Sequence, residues 1–185
     1  MGCERSVVLN PGKKFEHYFA KSIPENVYFL RIKDSASSFS PNSKSRFTSN
    51  NPYDFLIFAN GHLLPLELKS TKSKSLSIQR SNDEPTKEIK YHQIMALADA
   101  NKFDNIVSGF VFDFRNDGTY WMYIQDFLNF LENSNKKSIN IEDVKNYNGF
   151  EIQRKKMITN YRYDIMDMLV HILGMRDESG KKNSL

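Results

Sequence analysis

The sequence predicts an α/β domain, a mixed central sheet with helices packed on its faces. Two pairs of apolar runs are each joined by a short turn containing glycine, as in β-hairpins. Four other segments repeat apolar residues at helical spacing around those pairs. The 185 residues are enough for one core, and a single domain is expected over residues 11–174.

Gly12 to Ser22 reads as a helix with Phe15 and Phe19 on one stripe, Glu16 beside them and Pro24 as its stop. Val27 to Ile32 reads as a strand. It leads, after Lys33, into the long polar segment 34–51, which carries Lys44, Arg46, Phe39 and Phe47. A loop of that length is functional or disordered, and this one suits either a grip on a phosphate backbone or a solvated linker. Phe55-Leu56-Ile57-Phe58 and Leu63-Leu64-Pro65-Leu66 then flank Asn60-Gly61, the dipeptide of a two-residue hairpin turn. Pro65 lacks an N–H on the side away from Asp54's strand, which implies a sheet edge or bulge there.

The run Ser70 to Ser75 alternates hydroxyls with Lys72 and Lys74, a pattern suited to phosphate contact without base readout. Ile89 to Asn101 reads as a helix with His92 and Gln93 near its start. Ile106–Phe114 and Thr119–Ile124 form a second hairpin across Arg115-Asn116-Asp117-Gly118, with an Asp-Gly turn signal and the apolar character of central strands. Gln125 to Asn133 and Tyr161 to Leu173 supply two more amphipathic helices. Residues 1–10 and 175–185 read as flexible ends.

Composition limits the partners. The single cysteine, Cys3, excludes a disulfide framework or a cysteine-based metal site and fits a reducing compartment. No apolar run approaches the roughly 20 residues that span a bilayer, and residues 1–10 lack a signal-peptide core, so a soluble, cytoplasmic protein is expected. A net charge of +4 gives a mild preference for polyanions, too modest to establish DNA binding by itself.

The chemistry lies between Pro52 and Lys69. With Asn60 and Gly61 as the loop, Ala59 faces His62, and counting outward sets Asp54 opposite Glu67 in a non-hydrogen-bonded pair. Carboxylates there would have Cβ atoms roughly 4.5–5.5 Å apart, which repels unless something positive lies between them. Lys69 projects from the same face as Glu67, two residues on. Hard oxygen donors without a Cys or His cluster favour Mg²⁺, with Mn²⁺ as a substitute, and metal plus lysine is chemistry for hydrolysing a phosphodiester. The plainer alternative is a solvated strand-end ion pair worth a few tenths of a kcal/mol.

Pro52-x-Asp54 followed by Glu67-x-Lys69 resembles the P-D…(D/E)-x-K nuclease superfamily. The Tyr53-Asp54 start, the Gly61 turn, Leu66 to Lys72, His92-Gln93-Ile94 with its helix, Lys137-Ser138-Ile139 and Arg162-Tyr163-Asp164 together resemble the RecU-type Holliday-junction resolvases. Family members commonly carry a threonine near the first acid and an acid after the lysine, where this chain has Asn51-Pro52 and Ser70, and Arg80 to Glu88 reads as an insertion.

The resemblance implies a restriction-endonuclease-like fold whose polar loop or stalk projects over the junction, and a homodimer that resolves Holliday junctions in recombination and repair. It implies Asp54, Glu67, Lys69 and Gln93 as catalytic residues. The metal would be held by Asp54, Glu67 and the Leu68 carbonyl, with Glu16 a candidate for an outer or second-metal position. Lys33, Lys44, Arg46, Lys72 and Lys74 are the candidate DNA contacts, His92 reads as structural, and a recombinase or helicase partner is open. The alternatives are a restriction-like or repair endonuclease of phage or mobile-element origin acting on duplex DNA, and a nucleic-acid-binding protein without turnover.

Overall fold

The computed structural model describes residues 10–32 and 51–174. Residues 1–9 and 175–185 of the expected flexible ends, residues 34–50 of the polar segment 34–51, Cys3, Lys33, Lys44 and Arg46 lie outside the described residues. The first half of the chain forms α1 (Pro11–Ser22), β1 (Tyr28–Arg31), β2 (Phe55–Ala59), β3 (His62–Thr71), β4 (Ser75–Ser77) and α2 (Tyr91–Ala100). The second forms β5 (Gly109–Phe114), β6 (Gly118–Tyr123), α3 (Ile124–Asn133), β7 (Ser138–Asn140) and α4 (Ile141–Asn146). It ends with β8 (Phe150–Glu151), β9 (Arg154–Lys156), β10 (Tyr161–Tyr163) and α5 (Ile165–Leu173).

The main sheet has the order β1-β2-β3-β5-β6-β8, and β4-β7 and β9-β10 make separate two-stranded ribbons. Among the described strands β3 and β5 are parallel, while the other neighbours in the sheet are antiparallel. This is the mixed sheet with helices on both faces that the sequence predicts.

Side-chain alternation divides the core in two. Phe55, Ile57, Leu64, Leu66, Leu68 and Val111 pack against Phe15 and Phe19 of α1 and Ile165, Met168 and Leu169 of α5. Phe110, Phe112, Phe114 and Met122 pack on the other face against Ile94 and Leu97 of α2 and Phe127 and Phe130 of α3. Burying each such side chain contributes about 1.5–3 kcal/mol. Because Glu67 pairs in register with Phe110 and Lys69 with Phe112, both polar side chains face the α2 side.

Local chemistry explains the boundaries. Asn10, expected in a flexible end, is instead the N-cap of α1, its Oδ1 accepting the Lys13 N–H at 2.8 Å, with Pro11 as the first helical residue. Pro65 pairs with Leu56, and on its other side the β5 ladder skips it: Leu63 bridges Ile106, and regular pairing resumes at Leu66 with Gly109. Gly109 leaves room for its neighbours, since a Cβ there would lie 2.3 Å from the Met122 carbonyl oxygen.

Several expectations are corrected. Ser70 and Thr71 extend β3 because Asp113 and Phe114 of β5 continue the pairing, so the basic loop shrinks to 72–74. Residues 80–88 are anchored by Arg80, whose guanidinium donates to the carbonyls of Leu131 at 2.9 Å, Ser134 at 2.6 Å and Lys136 at 2.7 Å and so caps the end of α3. Tyr161–Tyr163 is a strand rather than the start of a helix, with Tyr163 buried between exposed Arg162 and Asp164. Asp164 then caps α5 by accepting the Asp167 N–H at 3.0 Å. The Asp-Gly turn signal is not used: Gly118 already belongs to β6, opposite Phe114.

Candidate active site

The hairpin that carries the acids follows its turn. Asn60 has φ 47° and Gly61 φ 75°, and the register runs from Ala59↔His62 to Phe55↔Leu66. At Asp54 the geometry departs from the predicted facing pair. Phe55 pairs with Leu66, yet the Asp54 N–H also bonds to the Leu66 carbonyl at 2.9 Å, the two-against-one arrangement of a β-bulge. The Asp54 carboxylate instead reaches past the end of β2, where Oδ2 accepts the Leu68 N–H at 2.8 Å. The Leu68 carbonyl points to that same side, because both backbone groups of one strand residue do.

Glu67 is 2% exposed. Its Oε1 accepts from Lys69 Nζ at 2.8 Å and from Gln93 Nε2 at 2.5 Å, while the buried Oε2 has no hydrogen-bond partner among the described residues. Burial pushes the Glu67 carboxyl up to about 8, with Lys69 opposing the rise and the Asp54 charge adding to it. Gln93 is held from behind, since its Oε1 accepts the Lys90 N–H at 3.2 Å in the capping box of α2. Asp54, Glu67, Lys69 and Gln93 therefore meet at one place, where the β2–β3 hairpin abuts α2.

Glu16 stands apart. Its carboxylate is bonded by Arg31 of β1 on the α1 side of the sheet, and its charge is the weakest of the influences on Glu67. It fits an outer electrostatic position rather than a place beside the Glu67 carboxylate. Lys72 and Lys74 are exposed in the loop after β3. His92 is held below its ordinary pKa first by burial, then by Lys90 and Lys69.

Among the described residues no group of three His, Cys, Asp or Glu side chains clusters to hold a metal. An ion here would rest on two carboxylates, a main-chain carbonyl and water, a donor set that suits Mg²⁺. The orphaned Glu67 Oε2 is the observation that fits it, since a buried carboxylate oxygen without a donor is costly until a cation satisfies it.

Sequence reasoning missed a second polar cluster at the end of β3. Asp113 is bound by Arg154 Nη1 at 2.9 Å, Ser70 Oγ at 2.9 Å and Thr119 Oγ1 at 3.1 Å, and Ser70 Oγ also accepts from Arg115 Nε at 3.2 Å. Burial raises the Asp113 pKa against these donors. The one signal in the text was a polar Asp113 inside an otherwise apolar strand.

Comparisons with known proteins give the family of the chain. The SPbeta prophage-derived uncharacterized protein YotM of Bacillus subtilis (strain 168) is 35% identical over 168 residues, which cover 83% of this chain and 82% of YotM. Hjc, a Holliday junction resolvase of Archaeoglobus fulgidus, overlays with a TM-score of 0.43 at 15% identity, covering 68% of this chain and 82% of its own, a likeness too loose to bear on function. No helix among the described residues is long and apolar enough to cross a membrane. The profile of Recombination protein U matches residues 16–167, spanning the hairpin, α2 and the closing strands, and the chain thus belongs to the RecU family of junction-resolving nucleases.

Proposed function

We propose that the protein is a Mg²⁺-dependent, structure-selective endonuclease that hydrolyses phosphodiesters of branched DNA, four-way junctions foremost, in recombination and repair. It acts in the cytoplasm as a homodimer, because cutting two symmetric strands calls for two sites related by a two-fold axis. Asp54, Glu67 and the Leu68 carbonyl hold the ion, and Mn²⁺ can take its place. When bound, the metal polarises a phosphoryl oxygen and makes water easier to deprotonate.

The protein's own groups do the rest. Lys69 steadies the charge that develops on the scissile phosphate and orients the attacking water. Gln93 fixes the Glu67 carboxylate and leaves Oε2 for the ion. Glu16, locked to Arg31, adds negative potential from a distance. Lys72 and Lys74, with Lys33, Lys44 and Arg46 of the preceding segment, contact the backbone without reading bases.

The supporting observation is the buried Glu67 with its unbonded Oε2 beside Lys69 and Asp54. Such a carboxylate weakens the fold, which is expected of a group kept for chemistry. A second reading, a phage endonuclease acting on duplex DNA, draws on the prophage origin of YotM. Labelled four-way junction and matched duplex, incubated with Mg²⁺, Mn²⁺ or chelator, separate the two. Metal-dependent cutting of the junction supports the first, equal cutting of duplex the second, and cutting in chelator contradicts both.

A further inference from the structure

On the sheet face opposite Glu67, α1 and the β9–β10 ribbon enclose a cavity of about 320 Å³. This is at the small end of ligand sites, which run to about 300–1,000 Å³. Its walls include the half-buried rings of Tyr18 and Tyr161, and three cations reach it, Lys14 from α1, Arg115 from the turn between β5 and β6 and Lys156 from β9. The Arg154 guanidinium lies over the Tyr161 ring at 4.4 Å from its centroid and fixes that wall. Asp113 also lines the cavity, but Arg154 offsets its charge and two hydroxyls donate to its oxygens, so Lys14, Arg115 and Lys156 leave the lining cationic.

The ribbon's tip adds a second observation. Ile158 is 99% exposed at a turn closed by the Met157 N–H to the Asn160 carbonyl at 2.7 Å, and exposed Lys155, Lys156 and Arg162 flank it. A bare aliphatic side chain on a basic ribbon is the form of a wedge that enters between bases. Ser70, in the cavity wall, directly follows Lys69. Its side chain leaves β3 on the face opposite Lys69, so a strand that reaches the cavity from the scissile phosphate passes around the end of β3.

We propose that this cavity receives one unstacked nucleotide of the substrate strand. The base lies against the tyrosine walls, the phosphate lies among Lys14, Arg115 and Lys156, and Ile158 fills the gap left in the stack. The identity of the substrate rests on the endonuclease reading above, which this deepens.

The test uses the full chain carrying Asp54→Asn, in chelator, on four-way junctions with 2-aminopurine moved one position at a time through the strands near the crossover. The expected result is a fluorescence rise of at least twofold at one position. Ile158→Asn, which removes no buried contact, and Tyr18→Ala each reduce the rise by more than half on that background. No rise at any position, or a rise that both substitutions leave unchanged, overturns the proposal. So does loss of affinity in Lys14→Ala and Lys156→Ala while Tyr18→Ala and Ile158→Asn are silent, which marks a backbone contact only. Unstacking by a protein whose unsubstituted form cuts nothing would sink the endonuclease reading alone, and cutting of junctions without unstacking would sink this proposal alone.

Discussion

Replacing Glu67 by glutamine preserves the shape of the side chain and removes its charge. The folded protein holds this carboxyl at about 8 instead of 4.5, mainly through burial. In the unfolded chain the same group titrates near its ordinary value. Between those two values the folded state therefore keeps a proton that the unfolded state has lost, and stability falls as pH rises through the window. The slope is about 1.4 kcal/mol per pH unit, or roughly 4 kcal/mol between pH 5 and pH 8. Glutamine carries no such slope. Urea denaturation in chelator at pH 5, 6.5, 8 and 9 should show the two proteins nearly level at the acid end. The Glu67→Gln protein should then gain by up to roughly 4 kcal/mol at pH 8, with no further change above it, while losing cleavage at every pH. Parallel stability profiles from pH 5 to pH 9 would refute the reasoning, because they would mean that Glu67 is ionised throughout.

Three further substitutions examine the parts separately. Lys69→Met removes the cation that holds Glu67 down, so Mg²⁺ affinity near pH 7 should fall about tenfold or more and recover at pH 9, while cleavage does not return; calorimetric titration at both pH values checks it. Gln93→Leu breaks both the Glu67 contact and the capping box of α2, and should cost about 1–2 kcal/mol in urea denaturation and lower the cleavage rate without weakening junction binding. Gly61→Ala places a Cβ in open space at φ 75°, so its cost is backbone strain alone, about 1–2 kcal/mol by thermal unfolding, with cleavage retained below the transition.

What was legible in the sequence was local. Asn60-Gly61 fixes a turn within its own four residues, and the turn fixes the register of every pair out to Phe55 and Leu66. The bulge at Asp54 depends on something the hairpin itself does not contain. Leu68 N–H faces the β2 side beyond the end of that strand's pairing, and the nearest acceptor is the Asp54 carboxylate. Tyr161, Ile165, Met168 and Ile172 fall at helical spacing, which masks the strand at Tyr161–Tyr163; pairing with Arg154–Lys156 decides the outcome. Ser70 and Thr71 open a run of hydroxyls and lysines that reads as a loop, but β5 lies alongside and supplies the partners. Gln93 could be singled out from resemblance, whereas Arg80 and Asp113 act across long sequence separations that no periodicity records. The two acids proposed to hold the ion were thus brought to notice by a turn, and the surfaces around them only by tertiary pairing.

In the proposed mechanism Asp54 and Glu67 jointly hold one ion beside Lys69. Titrating Mn²⁺ into the protein and following the free-ion signal by electron paramagnetic resonance at pH 8.5 tests it most directly. The unsubstituted protein should show a tight site that Asp54→Asn and Glu67→Gln each abolish while the fold persists by circular dichroism. Mn²⁺ binding of undiminished affinity in either folded variant would contradict it.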